Sequence, residues 1–156
     1  MLTVLYIALI VAVNYGFSVV PLIPLPTGDM FPPMSLVVGF IFVARDYAQR
    51  EIGHWVIAAM LFAGVISYFM ASPAIALASV SAFLVSELAD WAVYTWTKKP
   101  FRDRVLISSA VGTPLDSIVF LVLIGHFSII AVLAMTASKM IGALAVWYAL
   151  SKRNVA

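Results

Sequence analysis

Residues 73–96, PAIALASVSAFLVSELADWAVYTW, decide the fold. The stretch is almost unbroken in its apolarity and exceeds the roughly 20 residues that a helix needs to cross a bilayer. A membrane strand would instead be shorter and would alternate apolar with polar positions. Two carboxylates interrupt it, Glu87 and Asp90. At helical spacing Phe83, Glu87, Asp90 and Tyr94 share one stripe, with Trp91 beside it. A charge at membrane depth costs about 2.5–3.5 kcal/mol on insertion scales. The stripe therefore predicts a helix that turns its acids and aromatic rings into a bundle and its other faces to lipid.

Working outward, Ser72-Pro73 closes the preceding apolar stretch and Lys98 to Arg104 opens the next. Five further spans emerge: Leu2 to Val20, Phe31 to Ala48, His54 to Met70, Val105 to Gly125 and Phe127 to Leu150. Pro21, Pro24, Pro26, Gly28, Pro32 and Pro33 make the first break, because proline cannot sit inside a helix without kinking it. The charged run Arg45 to Glu51 makes the second. The chain of 156 residues is 64% hydrophobic and 10% charged, with a mean hydropathy of +1.10. A soluble domain is about a quarter charged. The expectation is an all-α membrane protein, one domain over residues 1–156, built as a bundle of six transmembrane helices. Nine Lys and Arg, in a chain with a pI near 9.0, are too few for a nucleic-acid face. With no cysteine, disulfide frameworks, thiol nucleophiles and thiolate metal sites are excluded.

Eight of the nine Lys and Arg follow spans two, four and six, and the connections after spans one, three and five carry none. The excess of positive charge on cytoplasmic loops places both termini in the cytoplasm. The two halves share no motif, which argues against an inverted-repeat carrier. The N-terminus lacks a basic leader region and reads as the first span, not as a cleaved signal.

Glu87, Asp90, Asp116 and Lys139 all fall inside apolar spans, with Asn14 as an uncharged companion and Asp46 closing span two. An ion pair of Glu87 or Asp116 with Lys139 is one reading. Yet three acids facing one buried base leave a surplus that suits a cation, a proton or a ligand rich in hydrogen-bond donors. Pro114 removes a backbone donor just before Asp116, which reads either as a local break for ligand or water, or as a tolerated kink. Asp46, Gln49 and Gly53 repeat at helical spacing toward the same interior, whereas Arg45 and Arg50 read as anchors to lipid head groups. Trp55, Trp96 and Trp147 sit near span ends as interfacial anchors. Ala8, Ala12 and Gly16 form a ridge of small residues suited to close helix contact. His54 and His126 do not make a metal site, no phosphate loop is present, and no nucleophile–base pair points to an enzyme.

Ser86-Glu87-Leu88-Ala89-Asp90-Trp91-Ala92-Val93-Tyr94, Asp116-Ser117-Ile118-Val119-Phe120 and an intramembrane Lys139 together resemble the queuosine precursor transporters, also called the vitamin uptake transporter family. The resemblance runs from about Leu36 to Gly142. It implies a fold similar to the substrate-binding subunits of energy-coupling-factor transporters, and import of a deazaguanine precursor across the bacterial cytoplasmic membrane without a cofactor. By motif it implies that Glu87, Asp90 and Asp116 contact ligand while Lys139 balances their charge. Asp46 and Gly53 match the family's Asp and Gly, although Gln49-Arg50 stands where longer members have Thr-Glu. The chemistry is compatible, since one carboxylate accepts the paired donors of a guanine-like edge and Phe83, Trp91 and Tyr94 offer stacking faces. Expected partners are the deazapurine, membrane lipid, and either a separate energising complex docked on the Ala8-Ala12-Gly16 ridge or a second copy of the chain. The rivals are a subunit for another vitamin or nucleobase, and a non-transporting subunit whose charges only assemble a complex.

Overall fold

The computed structural model describes residues 1–97 and 99–153, without the side chains of Asp90, Trp91, Tyr94, Thr95, Arg102 and Arg153. Six α-helices follow in order: α1 (Leu2–Val19), α2 (Ser35–Ile52), α3 (Val56–Met70), α4 (Pro73–Trp96), α5 (Phe101–Leu123) and α6 (Ile129–Arg153). The proline cluster ends α1 and delays α2 to Ser35, because each proline withholds a donor and biases its predecessor to extended backbone. Between them lies a two-residue hairpin, β1 (Ile23–Pro24) with β2 (Met30–Phe31), paired antiparallel. Gly28 turns that hairpin at φ 86°. Thr27 donates to Asp29 at 2.7 Å, and the hydroxyl of Ser128, followed by that of Thr27, holds the exposed Asp29 carboxyl below its ordinary pKa.

The second break corrects the reading of the charged run. Arg45 to Glu51 is helical, and α2 continues to Ile52, where Gly53 turns the chain at φ 60° into a single 3-10 turn. Gly53 is thus an exposed helix stop and not an inward-facing position. Likewise α5 runs unbroken through Pro114. At its end Gly125, at φ 75°, lets the His126 N–H reach the carbonyl of Leu121, a closing bond typical of a left-handed helix cap.

The helices close a ring. α1 packs on α2 and α3, α3 on α4, α4 on α5, α5 on α6, and α6 returns to α2. One end of the bundle brings together the start of α1 and the end of α2, where Thr3 N–H donates to Glu51, and the starts and ends of α5 and α6, where Trp147 donates to Asp103. At the other end the Ser72 N–H donates to Ser18 and the rings of Phe17 and Phe120 meet at 5.0 Å.

Glycines set the closest approach. A Cβ on Gly39 would lie 2.1 Å from the carbonyl oxygen of Lys139, and one on Gly142 would lie 2.7 Å from the carbonyl carbon of Gly39. Hence α2 and α6 touch backbone to backbone, as small residues permit in membrane helices. Gly16 is covered by Met34, so only Ala8 and Ala12 of the small-residue ridge face outward.

Polarity is inverted relative to a soluble fold. Asn14, Arg45, Asp46, Glu87, Asp116 and Lys139 are buried, while Phe62, Phe69, Leu88 and Leu133 are exposed. Among the described residues, four helical segments are long and apolar enough to cross a membrane: Leu2–Val19, Ser35–Met70, Asp103–Leu123 and Ile129–Lys152. Pro73–Ala89 is a shorter apolar helix. The chain is an all-α membrane protein by this architecture.

Candidate functional site

The ring interior holds an ionic layer made by five helices. α2 contributes Arg45, Asp46 and Gln49 from one inward stripe, with Phe42 one turn earlier. α4 contributes Phe83, Ser86 and Glu87; α5 contributes Thr113, Asp116 and Ser117; α6 contributes Lys139; and α1 adds Tyr6. Gly112 of α5 faces α2 and α4 here: a Cβ at that position would sit in ordinary contact, 3.5 Å from the Phe42 ring and 3.8 Å from Ser86.

The charges pair in two sets. Arg45 Nε lies 2.9 Å from Glu87 Oε1, its Nη1 lies 3.3 Å from Asp46 Oδ1, and Nη1 donates to Gln49 Oε1 at 3.1 Å. Lys139 Nζ donates to Asp116 Oδ2 at 2.5 Å and to Ser117 Oγ at 2.9 Å. Ser117 in turn donates to the Thr113 carbonyl at 2.8 Å, which fixes its lone pairs toward the ammonium. Arg45 and Lys139 are each only 1% exposed. Breaking a buried pair by removing one partner costs about 3–5 kcal/mol. The layer is therefore stable only while each charge is answered.

These positions both meet and correct the expectations. Lys139 takes Asp116, one of the two acids open to it. Arg45 is not a lipid anchor but a second buried base, so among the described residues Asp46, Glu87 and Asp116 face Arg45 and Lys139. Asp46 and Gln49 do point inward, held by Arg45. Phe83 packs on Phe42 with ring centroids 5.8 Å apart. Asn14 stands elsewhere, donating to Ser67 on α3 at 3.0 Å. The side chains of Asp90, Trp91 and Tyr94 lie outside the described residues. α5 continues through Pro114, so the helix itself is not interrupted there.

The sequence reading missed Arg45, Tyr6 and Phe42. Their signal was present, since Phe42, Arg45 and Gln49 repeat at three and four residues, but the charged run was taken for a connection. It also missed an apolar cavity of about 360 Å³ at the hairpin end, lined by Phe17, Leu22, Pro32, Ile75, Phe120 and His126. None of the expected site residues lines it. Among the described residues no three His, Asp or Glu gather as a metal site.

A ring of apolar helices around buried, paired charges defines an integral membrane protein whose polar chemistry is directed inward. Residues 30–151 match the family described as "Putative vitamin uptake transporter", and the chain belongs to that family. Comparison with curated proteins and with solved structures gave no match.

Proposed function

We propose that this chain imports a queuosine precursor, a deazaguanine-type base, across the bacterial cytoplasmic membrane, and that it binds the base at the ionic layer. In this reading all six helices cross the bilayer and both termini are cytoplasmic. A straight helix of 36 residues would run about 54 Å against a hydrocarbon core of about 30 Å, so the turn at Gly53 divides Ser35–Met70 into two crossings. The end of the bundle that joins α2 to α3 and α4 to α5 carries Arg50 and Lys99, and Lys152 lies there in the last turn of α6. The opposite connections have neither Lys nor Arg, which fits the rule for cytoplasmic loops.

The observation that carries the reading is the Arg45–Glu87 pair. A guanidinium offers side-by-side N–H donors to a carboxylate, the same pattern that a guanine-like edge offers. An arriving base takes that place on Glu87, and Arg45 keeps Asp46 and Gln49 on its own helix. Phe42 and Phe83, one turn away, supply aromatic faces. Asp116 completes the pocket with Lys139 holding its charge, and the family resemblance adds Asp90, Trp91 and Tyr94. No covalent step is involved.

The test is calorimetric titration of cyano- and aminomethyl-deazaguanine into the detergent-purified protein, beside Glu87→Gln. Saturable binding to the wild type, lost in a variant that still melts cooperatively, is the expected result. A folded wild type that binds neither compound would overturn the proposal. It would favour a membrane subunit that only assembles a complex, a reading supported by the internal partners that Arg45 and Lys139 already have.

A further inference from the structure

Tyr6 of α1 is buried among the aromatic rings that flank the ionic layer, and its surroundings are unusual for a tyrosine. The residue is 1% exposed, and its hydroxyl has no hydrogen-bond partner among the described residues. Its ring belongs to the same core cluster as Phe42 and Phe83. Phe83 lies one turn before Glu87 on α4, and Phe42 one turn before Arg45 and Asp46 on α2. Burying a hydroxyl without a partner costs free energy, and a phenylalanine would fill the same volume without that cost. The hydroxyl therefore answers to something other than the resting fold.

Its chemistry complements that of Glu87. An ionised carboxylate only accepts hydrogen bonds, whereas a phenol also donates one. A cyclic lactam edge, N–H beside C=O, needs both: an acceptor for the N–H and a donor for the carbonyl. We propose that Tyr6 is a specificity-determining residue that donates to the ring carbonyl of a lactam-edged heterocycle whose N–H groups are held by Glu87. This deepens the function proposed above and rests on it. A site that hydrogen-bonds a substrate group discriminates against the analogue lacking it, because its own polar group is then left unpaired.

The experiment compares deazaguanine with its thiocarbonyl analogue, in which a weakly accepting sulfur replaces the ring carbonyl oxygen while the ring N–H and the amine are kept, on the wild type and Tyr6→Phe. The expected wild-type preference for the carbonyl compound is up to about tenfold, the worth of one hydrogen bond near the upper end of the usual range. Tyr6→Phe should erase that preference by weakening deazaguanine alone, and the unliganded variant should melt no lower than the wild type. Unchanged preference in Tyr6→Phe overturns the proposal while leaving the transport reading intact. So does an equal loss of both compounds with a lowered melting temperature, which marks a structural hydroxyl. A wild type that binds neither compound removes the transport reading itself, and this inference with it.

Discussion

Replacing Gly39 by alanine adds one methyl group where α2 meets α6. That carbon would stand 2.1 Å from the carbonyl oxygen of Lys139, and ordinary contact begins at 3.4 Å. The helices must then part by about 1.3 Å, because the obstacle is backbone and has no rotamer to change. Overpacking of this kind costs typically 1–3 kcal/mol, and a rigid obstacle belongs at the upper end, about 3 kcal/mol. Offset against this is the gain of up to about 1 kcal/mol from glycine to alanine inside a helix. The control is Gly112→Ala, whose methyl group would lie 3.5 Å from the Phe42 ring, in ordinary contact. It receives the propensity gain without the clash. Thermal melts in one detergent should show Gly39→Ala lowered by several degrees and Gly112→Ala level or slightly raised. The same sign for both variants, with Gly39→Ala unaffected, would refute backbone contact between α2 and α6.

Two further expectations concern charge and topology. Lys139→Met leaves Asp116 buried without its ammonium and should destabilise the protein by about 3–5 kcal/mol, whereas Lys139→Met with Asp116→Leu recovers most of the loss; melting of both variants checks this, and a double variant as unstable as the single one contradicts it. Because the chain has no cysteine, single thiols report sidedness cleanly: Thr27→Cys and His126→Cys should react with an impermeant maleimide in intact cells, and Lys99→Cys and Lys152→Cys only after lysis.

Much of the fold is legible because proline and hydropathy mark helix ends without tertiary help. Ser72-Pro73 and Trp96 bound α4 in sequence and structure alike, since a proline head and a charged tail leave the helix no other ends. The reading of α2 failed for a definite reason. Charges after an apolar run are ordinarily solvated, and nothing in Arg45 alone announces that Glu87, some forty residues on, waits for it. The buried acids Glu87 and Asp116 were legible because lipid tolerates them so poorly; their partners were not, because pairing is a property of the ring. Gly39 and Gly142 are unremarkable as isolated glycines in membrane helices, and their contact exists only once α6 closes on α2.

The two ion pairs also impose an order on how the protein is made. Arg45 on α2 is synthesised before Glu87 on α4, and Asp116 on α5 before Lys139 on α6. Asp116 reaches the membrane ahead of the helix that neutralises it, whereas Arg45 has Asp46 beside it on α2 from the start. A nascent chain that ends after α5 holds an acid without its base, and one that ends after α3 holds the guanidinium without Glu87. Biogenesis is therefore ratcheted: α5 is held provisionally, by the insertion machinery or by water, until α6 arrives to lock it.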